Sequence, residues 1–120
     1  MSVTRHQRWS AAALSCVSAQ KAKATEGKYR TLCMKMPGLI KQAGLVQALV
    51  FMKSRDDTGK TFVKDLTTVY GAKDLVADAQ AAKLAPYLVL SNDLAQVSIW
   101  FRRFAQIELS DEDDTRESRS

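Results

Sequence analysis

A chain of 120 residues has room for one compact core and none for a two-domain enzyme. At 46% apolar and 26% charged, with five Gly and two Pro, it has the composition of a folding globular domain and is neither disordered throughout nor collagen-like. The net charge of +5 hides a gradient: residues 1–55 carry ten Lys/Arg against Glu26 alone, net +9, residues 56–107 carry six of each sign, and residues 108–120 carry six acids and two Arg, net −4.

Thr4 can cap a first helix, in which Trp9, Ala12, Ala13, Cys16 and Val17 recur at i, i+3, i+4, i+7 and i+8 and which should run to about Lys23. Arg5, Arg8, Lys21 and Lys23 lie off that stripe and can stay in water. Ala24 to Gly27 breaks the pattern. It resumes at Lys28 with Tyr29, Leu32, Cys33 and Met36, then meets Pro37, whose missing N–H predicts a kink or a restart. A short helix then carries Leu39, Ile40 and Ala43 to Gly44, which readily adopts a left-handed closing conformation.

From Leu45 to Met52, Leu45, Ala48, Leu49 and Met52 share one face and Val46, Val50 and Phe51 widen it, so this piece is expected to be central core. Ser54 to Lys60, polar and containing Gly59, reads as the clearest interior loop and the expected seat of mobility. Phe62, Val63, Leu66, Val69 and Tyr70 follow at helical spacing up to Gly71, and an Ala-rich helix over Leu75 to Leu84 is expected to end at Pro86. The last helix should begin near Ser91 or Asn92, turn Leu94, Val97, Phe101, Phe104 and Ala105 inward, and end at about Leu109. No segment shows the alternation and β-branched enrichment of a sheet. The expected fold is all-α: a single domain over residues 1–109, a compact bundle of about five or six helices, with a disordered acidic tail over 110–120.

No apolar run is long enough to cross a bilayer and MSVTRHQRWS lacks a signal peptide's apolar centre, so a soluble cytoplasmic protein is expected. Cys16 and Cys33 fall in helical segments and read as buried thiols, and His6 is the only histidine, which disfavours disulfide scaffolding, zinc sites and His-based triads. Gly59-Lys60-Thr61 has the end of a phosphate-binding loop, but Ser54 stands in the first glycine's place and the flanks read as helix. Asp56-Asp57 and Asp111 to Asp114 lack the partners that hold a metal; a nuclease built on Asp56 and Asp57 ranks last, and no cofactor or catalytic residue is expected. Trp100-Phe101-Arg102-Arg103-Phe104 could stack on RNA bases, yet its aromatics also fit a core stripe, which leaves Arg102 and Arg103 facing outward.

The remaining constellation is basic: Arg5, Arg8, Lys21, Lys23, Lys28, Arg30, Lys35, Lys41, Lys53 and Arg55, joined by Arg102 and Arg103. The shortage of counter-charges over residues 1–55 points to a polyanion, and contacts from such residues go to phosphates without reading bases. A helical adaptor whose basic face meets an acidic protein is the alternative.

The series Tyr29, Leu32, Pro37, Ile40, Gly44-Leu45, Gln47-Ala48-Leu49 and Phe51, with its spacing through a proline and a glycine stop, resembles the small all-helical subunit of type III-B CRISPR effector complexes, the Cmr complexes. The first helix, Tyr87-Leu88 with Leu90, and Trp100 to Ala105 are similar to that family too, so the likeness spans roughly residues 5 to 109; over 54 to 84 it is one of helical character. The resemblance implies a non-catalytic architectural subunit in antiviral defence. Several copies would stack beside guide RNA and target RNA and dock the backbone subunit and one another, with cleavage left to other subunits.

Overall fold

The computed structural model describes residues 4–110, which form six α-helices and no strand. Helix α1 (Arg5–Ser18) starts at the expected cap. Thr4 Oγ1 accepts the Gln7 N–H at 3.1 Å, and the Gln7 side chain accepts the Thr4 N–H at 2.7 Å, so two donors that no helix carbonyl can reach are satisfied reciprocally. The helix stops short of the expected Lys23. Gln20, Lys21 and Lys23 each donate to the carbonyl three residues back, and Ala22 sits at φ 68°. That left-handed conformation is costly for a residue with a Cβ, and Glu26 holds it by accepting the Ala22 N–H at 2.9 Å.

Helix α2 (Glu26–Ala43) runs through Pro37 without the predicted restart, at the cost of the one bond that the proline nitrogen cannot donate to Cys33. Gly44, at φ 88°, closes α2 and opens α3 (Leu45–Arg55) directly. Its ψ of 161° is extended, not the left-handed closure expected. No side chain of its own caps α3; the Tyr87 hydroxyl accepts the Val46 N–H at 3.2 Å instead.

The expected Ser54–Lys60 loop is absent. Helix α3 continues to Arg55, and Asp56 alone makes the turn into α4 (Asp57–Tyr70), its carboxylate accepting the Gly59 N–H at 2.9 Å. Gly59 permits the close crossing: a Cβ there would lie 1.9 Å from the Met52 carbonyl oxygen. The polarity that looked like a loop is one cap and one solvent-facing turn. Gly71, at φ 91° and ψ 24°, ends α4 in the left-handed conformation.

Asp74 caps α5 (Leu75–Ala81) by accepting the Ala77 N–H at 3.1 Å. Helix α6 (Leu84–Glu108) begins two turns before the expected Ser91 or Asn92. Pro86 lies in its first turn, where a missing N–H forfeits nothing, so the proline belongs to the start of α6 and does not end the helix before it, which stops at Ala81.

Helix α6 packs across α1 and α2, while α3 packs on α4. At the centre Phe62 meets Tyr29 edge-on at 5.6 Å and Phe101 edge-on at 5.7 Å, with all three rings fully buried. Leu32, Met36, Leu45, Leu49, Met52, Leu66 and Leu94 close around them. The outer face of α3 departs from expectation: Val50 is 42% and Phe51 47% exposed, so α3 is covered on one side only.

A polar tie joins three helices. Asp93 on α6, 6% exposed, accepts the Tyr70 hydroxyl at 2.9 Å and an Arg5 guanidinium N–H at 2.5 Å, and Arg5 also lies over the Trp9 ring at 4.6 Å. Arg5→Ala leaves a buried carboxylate with a hydroxyl as its remaining partner. Since the Arg5 side chain is 54% exposed, the cost should fall below that of breaking a fully buried pair, at about 2 kcal/mol in a urea melt.

Candidate nucleic-acid interface

Of the twelve predicted basic residues, eleven are exposed and Arg30 is half-buried within α2. Arg5 differs from the rest in being turned to the Asp93 tie, so it serves the fold. Arg8 projects from α1, Lys21 and Lys23 from the turn after it, Lys41 from the last turn of α2, and Arg103 from the outer side of α6.

Three grooves gather other members of the set. Lys28 and Arg55 share a small one of about 160 Å³ with Thr31, Asp56 and Thr58. Lys35 and Arg102 face one of about 390 Å³ whose floor is Met34, Leu39 and Phe51, and Leu39 and Phe51 continue into an apolar trough with Ala43, Gln47 and Val50. Trp100 and Phe104, half-buried and stacked at 5.8 Å, edge the core while Phe101 enters it, and Arg102 and Arg103 stay exposed.

The third groove, about 340 Å³, is the most basic. Lys53 meets Lys60, Lys64 and Lys73 there, between α3, α4 and α5. Sequence reasoning missed the last three because their half of the chain is neutral by count. The helical spacing of Lys60 and Lys64, one turn apart on one face, was the available signal. The acids that balance them are mostly engaged elsewhere: Asp93 in the tie, Asp65 with Tyr29, and Asp56 and Asp74 as helix caps. Asp57 reaches Lys60 at 3.9 Å with both side chains exposed, a pair too loose and wet to neutralise it.

Behind α4 four titratable side chains meet: Cys16, Tyr29, Cys33 and Asp65. Tyr29 donates its hydroxyl to Asp65 at 2.6 Å. Burial, reinforced by the Asp65 carboxyl, pushes the Cys16 thiol up to about 11. Burial likewise raises Cys33 and Tyr29 far above their ordinary ranges, with Asp65 adding to both. Burial also raises Asp65 itself, against the lowering effect of the Tyr29 hydrogen bond. Cys33 is buried as expected, whereas Cys16 is only half-buried. With both thiols held protonated, neither is a nucleophile at neutral pH.

Gly59-Lys60-Thr61 occupies the first turn of α4 directly after another helix, with the Gly59 N–H taken by Asp56, which is not the strand-to-helix setting of a phosphate-binding loop. Among the described residues no three His, Cys, Asp or Glu side chains gather as metal ligands, and no helix is long and apolar enough to cross a membrane. Asp111 to Asp114, and the tail expected over 110–120 apart from Ser110, lie outside the described residues.

Six helices around one aromatic centre, with cations collected into surface grooves, define a small helical domain whose chemistry is that of a charged surface. Residues 5–108 match the family described as CRISPR-associated protein (Cas_Cmr5). The chain is 39% identical over 107 residues to a CRISPR system Cmr subunit, Cmr5, of Thermus thermophilus, across 86% of this chain and 94% of that one. The crystal structure of a CRISPR-associated Cmr5 family protein from the same organism matches the fold with a TM-score of 0.87 at 37% identity, covering 90% of this chain and all of that one. The chain belongs to the Cmr5 family, the small-subunit family of Cmr CRISPR complexes that its sequence resembles.

Proposed function

We propose that the chain is a non-catalytic structural subunit of a cytoplasmic type III-B Cmr effector, present in several copies alongside guide RNA and target RNA, and that it touches RNA through phosphates without reading sequence. The observation that carries this reading is the outward projection of the basic set. Arg8, Lys21, Lys23, Lys28, Lys35, Lys41, Lys53, Arg55, Arg102 and Arg103 are all exposed, and Lys60, Lys64 and Lys73 add to them around one groove. Lysine ammoniums are point charges suited to phosphate oxygens, and no aromatic ring lines the lysine groove to stack a base.

The apolar trough of Leu39, Val50 and Phe51, flanked by Lys35 and Arg102, is suited to a protein neighbour; the backbone subunit or a further copy is the occupant this reading assigns. The same trough favours the second reading, an adaptor for an acidic protein. Affinity capture of the tagged chain from its own cells, with mass spectrometry of partners and sequencing of bound RNA, separates the two. Recovery of the other Cmr subunits with short guide RNAs is the expected result. Recovery of one acidic protein and no RNA would replace it with the adaptor.

A further inference from the structure

The chain carries its own polyanion. Residues Asp111, Glu112, Asp113, Asp114 and Glu117 place five carboxylates within seven positions, beyond the residues matched to the family. The structure fixes where that segment starts. Glu26 accepts the Ser110 N–H at 2.7 Å through one carboxylate oxygen and the Ala22 N–H at 2.9 Å through the other, so the end of the described chain is strapped to the α1–α2 turn. Tyr29, one turn along α2 from Glu26, donates its hydroxyl to Asp65 at 2.6 Å, and Lys64 is the residue before Asp65 on α4. The route from Ser110 to the lysine groove is therefore short. Seven extended residues reach about 23 Å.

We propose that the groove of Lys53, Lys60, Lys64 and Lys73 is an acidic-segment site whose occupant in the free chain is this protein's own residues 111–117, and that RNA phosphate must displace it.

The groove suits a string of carboxylates. Four ammoniums face it against one carboxylate, Asp74, which is already engaged with the Ala77 N–H. The Thr67 and Thr68 hydroxyls donate to the Val63 and Lys64 carbonyls at 2.8 and 3.0 Å, so the free donors in the groove are lysine N–H groups and the ligand must be an acceptor. No aromatic ring offers a base platform. Covalent attachment over so short a span supplies an effective concentration of about millimolar, enough for a weak contact between exposed charges to be populated at low salt and lost at high salt. The displacement by RNA rests on the phosphate-contact reading above; the contact itself does not.

Two experiments on the full chain decide it. Zero-length carbodiimide coupling at low salt, on a mixture of isotopically heavy and light protein, should yield amide links within one chain between residues 111–117 and Lys60 or Lys64, suppressed at high salt. Links confined to Lys21, Lys23 or Lys28, links only between copies, or no links overturn the proposal. In fluorescence anisotropy with a labelled oligouridylate, the full-length variant Asp111→Asn, Glu112→Gln, Asp113→Asn, Asp114→Asn should bind roughly three- to tenfold tighter than the parent at low salt. That gain should vanish when Lys60→Gln and Lys64→Gln are added. Equal binding by the parent and the tail-neutral chain overturns the competition. If the links form but neither chain binds RNA, the RNA reading falls and the self-contact stands.

Discussion

Phe62→Ala should lower stability by about 4 kcal/mol and the melting temperature by roughly 20 °C. The ring is fully buried and edge-on to both Tyr29 and Phe101, so its removal empties the space where α2, α4 and α6 meet and ends two aromatic contacts at once. Neighbouring side chains cannot collapse into the gap easily. Tyr29 is tethered through its hydroxyl to Asp65, and Phe101 sits two turns inside the end of a 25-residue helix. Phe51→Ala is the informative partner measurement: with the ring 47% exposed, its cost should stay below about 1 kcal/mol. Similar losses for the two variants would mean that the aromatic centre lies elsewhere.

Gly59→Ala should be the most damaging single-methyl change in the chain, at about 3 kcal/mol. The new Cβ would meet the Met52 carbonyl oxygen at 1.9 Å and its carbon at 3.0 Å. These are backbone atoms of α3, so no rotamer change relieves the clash; α3 and α4 must separate, which strains the Asp56 turn and loosens Met52 and Phe62 behind it. Gly38→Ala is the control, because a Cβ at Gly38 meets nothing within 4 Å. Replacing a mid-helix Gly by Ala there should raise stability by roughly 0.5 to 1 kcal/mol. Parallel thermal melts of the two variants should therefore move in opposite directions.

The apolar stripes of α1, α2, α4 and α6 were legible because burial on one face leaves a 3.6-residue period in the sequence. Thr4, Gly44 and Gly71 also marked helix ends correctly, but other joints were not legible. Pro86 carries the same letter whether it starts a helix or stops one, and the choice rests on the chain before it, which in this fold leaves α5 at Ala81 and turns at Lys83. Asp56 and Gly59 look like loop residues because a one-residue turn between helices uses the same chemistry as a loop: a cap and a missing Cβ. Phe51 was misplaced for a different reason. Its apolarity is real, but the side of α3 that it occupies has no helix across from it.

Most of the basic surface could be read from residues 1–55, where a single acid leaves little ambiguity. Arg5 shows the limit of counting there, since one of the ten cations is turned to a buried carboxylate. Lys60, Lys64 and Lys73 show the converse. Their half is neutral on paper, yet its carboxylates point inward or sit on helix ends while its ammoniums point out. A net charge is blind to that segregation, which only the packing of α4 against α2 and α6 creates.

The protonated thiols behind α4 give the protein an internal clock of its own opening. Alkylating reagents react with thiolates, and Cys33, fully buried and held far from ionisation, offers none while α2 stays docked. Its modification at neutral pH must wait for a fluctuation that lifts the helix, so the labelling rate follows the free energy of that fluctuation. Half-buried Cys16, on the neighbouring α1, should report shallower openings. The unmodified chain thus carries two probes of different depth on either side of Asp65, with which the loosening or tightening of the bundle on assembly can be timed without attaching a dye.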